Sequence, residues 1–152
     1  AAGYNYQIDC QQVKNSTDMS IANSCRLQFG TSTGPTYQTA SYTNQMGNWA
    51  ATAEDSGRDG TTAGIPVLSF GNLGGATAGE TWDAIVNIPN PAASAEHRVI
   101  SQAAGHNSAG AECIYFCCGH RAATEVITGL RVMPGTGTFE TGLFILSRRA
   151  IA

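Results

Sequence analysis

The residues best equipped for chemistry are five cysteines, three histidines and eleven carboxylates. His106, Cys113, Cys117, Cys118 and His120 form the only soft-ligand cluster. On an extended strand Cys113 and Cys117 share a face, about 13 Å apart at the usual rise. One zinc ion could not take both without a kink. Adjacent Cys117 and Cys118 point to opposite faces. No second CxxC-like pair completes a zinc site. The expectation is therefore no metal, and buried, reduced thiols that act as small apolar residues. A Cys10–Cys25 bridge between neighbouring strands is the competing reading. With five cysteines at least one thiol stays unpaired within the chain.

The carboxylates offer little more. Glu80 and Asp83 bracket Trp82, but on a strand they face opposite ways, which argues against a catalytic pair. Asp55 and Asp59 could donate oxygens to calcium from the Glu54–Gly64 segment, but their spacing departs from the EF-hand pattern. Gly71–Gly79 lacks the Gly-Lys-Ser/Thr ending of a phosphate loop. No Gly-x-Ser-x-Gly elbow occurs. The reading is a non-enzyme without a cofactor. Tyr37, Tyr42, Trp49 and Trp82 are the candidate contact residues, either for a glycan or for another subunit.

The elements that must position these side chains are strands. Charged residues make up 12% of the chain, about half the usual share, and Gly is abundant. No long segment repeats apolar residues at helical spacing. Tyr4–Cys10 alternates as a half-buried strand. Met19, Ile21, Cys25, Leu27 and Phe29 share one face of a longer one. Tyr37–Trp49 is less regular. Glu54–Gly64 reads as an exposed loop, and Ile65–Phe70 as a compact apolar strand. Trp82, Ala84, Val86 and Ile88 share a face, and Pro89-Asn90-Pro91 ends that strand. His97–Ala104 and Ala111–Cys118 follow. Val126–Leu146 reads as two apolar runs joined by Pro134-Gly135-Thr136-Gly137-Thr138, a β-hairpin. Eight to ten strands over residues 1–152 imply one all-β domain, an antiparallel jelly-roll-like sandwich. Ile21, Leu27, Phe29, Val86, Leu130 and Phe144 are its expected core.

A net charge of −3 leaves no basic footprint for nucleic acid. No run of 18 apolar residues suggests a membrane span.

Several motifs carry a resemblance, in order along the chain. They are Tyr4-Asn5-Tyr6-Gln7-Ile8 with Asn15-Ser16-Thr17-Asp18, then Cys25-Arg26-Leu27-Gln28-Phe29-Gly30. Ile88-Pro89-Asn90-Pro91 and the closing Ile127-Thr128-Gly129-Leu130-Arg131 and Thr141-Gly142-Leu143-Phe144-Ile145-Leu146 follow. Together they resemble small jelly-roll virion surface proteins of tailed bacteriophages, of the capsid-decoration and tail-fibre type. The resemblance implies a structural protein on the virion surface, made in the cytoplasm of a bacterial host. Capsid decoration or cement is the leading role. A tail-fibre or spike receptor-binding domain and a carbohydrate-binding module are the alternatives. The implied partners are further copies of the chain as a trimer, other virion proteins and a host-surface glycan. The family carries an extra Ser/Phe-rich strand before the opening Tyr, which a longer chain or a neighbour would supply here. It also ends in Leu-Tyr-Gly, where this chain has Leu146-Ser147-Arg148. It carries no catalytic residues to transfer.

Overall fold

Alternating apolar and polar residues give strands, and the strands here form two antiparallel sheets packed face to face. The computed structural model describes residues 3–18, 24–50, 53–57, 63–68, 80–106 and 110–151. Among them run β1 (Tyr4–Asn15), β2 (Cys25–Thr31), β3 (Thr36–Tyr37), β4 (Tyr42–Ala50) and β5 (Ala53–Gly57). Then come β6 (Ile65–Leu68), β7 (Trp82–Ile88), β8 (Ala95–His106), β9 (Glu112–Glu125), β10 (Gly129–Met133) and β11 (Phe139–Ala150). The large sheet has the order β11-β1-β7-β8-β9-β4-β5. In the small sheet β2 pairs with β10 on one side and with β3 and β6 on the other.

The core lies between the sheets. From the large sheet come Ile8 and Cys10, Trp82, Ala84, Val86 and Ile88, and Val99, Cys113, Tyr115 and Cys117. Leu27, Phe29, Ile65 and Val67 meet them from the small sheet. In β7 the alternation read from the sequence is the alternation of burial, while in β2 Gln28 and Gly30 are buried along with Cys25, Leu27 and Phe29. Gly119 marks the closest approach of β9 to β6. A Cβ built there would stand 2.5 Å from Ile65 Cγ2.

Four expectations are corrected. The Val126–Leu146 stretch is not a hairpin: β10 pairs with β2 in the small sheet, and β11 pairs with β1 in the large one. Its Pro-Gly connector carries the chain from one sheet to the other. Glu54–Gly57, the start of the segment read as loop, belongs to the strand Ala53–Gly57, paired with β4. Phe144 is 38% exposed, because β11 is an edge strand at the open side of the sandwich. Leu130 is only partly buried, packed against the core from the β10 edge. The strands number eleven among the described residues. Ile21, Asp59 and Gly71–Gly79 lie outside those residues.

All five cysteines are free thiols, and only Cys118 is exposed. Burial pushes Cys10 up to about 12, with Asp9 and Asp83 adding to the rise. Burial does the same to Cys117, also to about 12, with Cys118 contributing and a Ser101 hydrogen bond opposing. Cys25 lies well above its ordinary value through burial, and then through Cys10. Above pH 9, the ordinary thiol value, the unfolded chain releases these protons while the folded chain keeps them. Stability must then fall as pH rises.

Three outcomes are expected from this core. Gly119→Val forces Ile65 or the β9 backbone to move and lowers stability by about 1–3 kcal/mol, read in denaturant melts. Native protein treated with a thiol reagent labels at Cys118 alone, and all five cysteines label once it is unfolded. Its melting temperature declines progressively above pH 9, the ordinary thiol value. A flat alkaline profile would contradict the buried-thiol assignment.

Candidate interaction surface

Alternation that sends one set of side chains into the core sends the other set to the outer face of the large sheet. On β7, β8 and β9 that outward set is unusually apolar. Ile85, Ile100, Ile114 and Phe116 are each more than two-fifths exposed. Cross-strand register brings them together. Ile85 pairs with Gln102, Gln102 with Phe116, and Ile100 with Cys118. Asp9 of β1 lies beside Ile85 on one side and Ile145 of β11 on the other. The rows thus continue to Ile145 and Leu143 at the sheet edge. A shallow depression of about 440 Å³ lies among Asp9, Gln11, Ile85, Gln102, Ile114 and Phe116.

The polar groups on this face are engaged within the sheet. Asp83 accepts from the Gln12 backbone N–H at 2.9 Å and from the Gln12 side-chain amide at 3.2 Å. Asp9 accepts from Gln7 Nε2 at 2.7 Å. Both acids line the depression. Nearby, Thr43 Oγ1 and His120 Nδ1 are 2.7 Å apart beside Arg98 and Cys118.

The cysteine–histidine cluster is split by the strand that carries it. Cys113 and Cys117 turn into the core, while Cys118 is exposed on the other face. Among the described residues, no three His, Cys, Asp or Glu groups converge as a metal site would need. Glu80 is buried and Asp83 exposed, so the two acids around Trp82 do not share a site.

The four candidate contact residues have different fates. Trp82 is fully buried, its Nε1–H directed at Asn15 Oδ1 at 3.4 Å. Tyr42 is buried, and its hydroxyl accepts the Phe29 backbone N–H at 2.9 Å. Burial raises the pKa of the Tyr42 phenol, against the opposing pull of that hydrogen bond and of Arg121. Tyr115, also in the core, is raised by burial and by Cys113. Both tyrosines are packing residues. Tyr37 is half-buried with the Arg131 guanidinium 4.4 Å over its ring. The Trp49 backbone pairs with Ile114, and its side chain lies outside the described residues. Tyr42 and Trp82 are thus core residues, while Tyr37 is half-buried. The apolar outer face that the sheet does assemble was not read from the sequence. Its signal was present: Ile85, Ile100, Ile114 and Phe116 fill positions between inward residues, where a solvated sheet carries polar ones.

Compared with family models, curated proteins and solved structures, the chain matches none of them.

Proposed function

We propose that this chain is a non-enzymatic structural protein that packs onto other proteins of a tailed-phage virion surface, as a decoration or cement subunit with jelly-roll-like connections. The observation that carries the reading is the exposed apolar face built by Ile85, Ile100, Ile114 and Phe116. Isolated soluble domains rarely leave a contiguous apolar patch of this kind facing water. Scarce charge, at 12% of residues, points the same way. The virion assignment draws on the sequence resemblance. Packing is favoured over glycan binding because Tyr42 and Trp82 are spent in the core.

The experiment is reassociation with particles stripped of this protein. Wild type should rebind. Ile114→Lys combined with Phe116→Lys should weaken rebinding by about tenfold or more, the scale of losing an interface hot spot. Both side chains face solvent, so the melting temperature should hold. Unchanged rebinding by the double variant would remove this face from the interface. Binding to glycan without any rebinding to particles would replace the proposal with the carbohydrate-binding reading.

A further inference from the structure

The last strand of the large sheet, β11, has only β1 as a neighbour among the described residues. Its register with β1 runs without a shift from Gln11–Leu143 to Tyr4–Ala150. Just beyond, the Ile151 N–H donates to the Gly3 carbonyl at 3.0 Å. In an antiparallel ladder alternate residues turn both backbone groups to the same side. Odd-numbered residues here therefore turn toward β1. Phe144, Leu146 and Arg148 turn their N–H and C=O groups away from it, along the open edge. Such a row of backbone groups is a template for another strand.

The side chains make that edge apolar on both faces. Leu143 and Ile145 continue the outer face, and Phe144 and Leu146 turn to the inner side beside Ile8. Leu146 is 57% exposed. Phe144, Leu146 and Phe139 line a gap of about 290 Å³ with Leu130 and Val132 of the β10 edge. Residues 141–147 hold no Lys, Pro or charge, and the irregularity in the ladder with β1 lies at their start, between Thr141 and Leu143.

Charge then selects the occupant. Glu140, paired with Lys14 of β1 at 2.8 Å, lies at one end of the apolar run. Arg148, its guanidinium 4.8 Å over the Tyr4 ring, and Arg149 lie at the other. A parallel copy would set arginines beside arginines. An antiparallel copy sets the acidic end of each strand beside the basic end of the other, twice. Centred on Phe144, this pairing lets Phe144 of each copy exchange its outward backbone bonds. It also sets Leu146 opposite Gly142, which has no side chain to compete. The strand is self-complementary about a two-fold axis, as an isologous interface requires.

We propose that β11 pairs antiparallel with β11 of a second copy of this chain, joining two large sheets into one continuous sheet. The contact is two-fold and closes on itself. It does not rest on the virion reading.

Sedimentation equilibrium of the full chain at micromolar concentration tests it, with a dimer expected. Leu146→Pro removes an outward N–H at an edge position where proline is tolerated, and should give a folded monomer. Reversing Arg148 and Arg149 to Glu should weaken association by about tenfold or more. Adding Glu140→Arg to that variant should restore it. This charge series decides the matter alone if Leu146→Pro fails to fold. A wild-type monomer, a trimer, or a folded Leu146→Pro dimer would overturn the proposal. So would a charge reversal that has no effect, or one that Glu140→Arg does not rescue.

Discussion

The fold depends on a polar clamp that fixes one end of the two sheets against each other. The Phe29 N–H of β2 reaches across to the Tyr42 hydroxyl of β4. Behind Tyr42 sits Arg121 of β9, only 6% exposed. Its guanidinium lies 5.3 Å over the Tyr42 ring, pairs with Glu125, and donates to the Ala40 carbonyl and to Gln38. His97 packs edge-on against Phe29 and makes a hydrogen bond to the Glu125 carbonyl. Burying a charge is costly unless every donor finds an acceptor, and a half-satisfied network is worse than an apolar one. Arg121 therefore dictates the path of the 38–42 segment, the turn of β9 at Glu125, and the height of β2 above β4.

Among the described residues, no buried ion pair clamps the region around Trp82. Trp82 is held by Phe139 and Phe144 at ring separations of 6.4 and 6.5 Å, and those two rings lie 5.0 Å apart. Aromatic packing of this kind is less directional than a buried ion pair. The sheets splay there enough to leave the gap bounded by Leu130, Val132, Phe144 and Leu146. Polar groups close one end of the sandwich, and aromatic rings beside the buried Asn15 and Glu80 pack the other.

Much of this was legible locally. Trp82 to Ile88 on β7 alternate in the sequence as they do in burial, and Cys25, Leu27 and Phe29 on β2 are buried, with Gln28 between them buried too. What alternation cannot carry is partnership. β10 and β11 are each regular and are joined by a turn-like segment, so they read as a hairpin. Their actual partners are β2 and β1, more than a hundred residues away. Period-2 patterning says that a strand has two faces, not which sheet receives it. Phe144 was misread for a related reason. In Leu143-Phe144-Ile145-Leu146 every residue is apolar, so no contrast marks the inner face. The apolar outer face was not read because Tyr and Trp drew attention, whereas that face carries isoleucines and Phe116 among polar neighbours.

That same lack of contrast separates two kinds of surface on one sheet. Edge pairing uses backbone groups and is specific because donors and acceptors must alternate in register. Face packing uses Ile85, Ile100, Ile114 and Phe116, whose burial is non-directional and scales with apolar area. The two do not compete for atoms. A two-fold axis relating antiparallel edge strands stands perpendicular to the sheet, so it leaves the outer faces of both copies on the same side. Pairing through β11 would extend one apolar face into a wider one, with Leu143 and Ile145 bridging the seam. Two weak surfaces then reinforce each other, because a partner seated on the doubled face engages both copies at once.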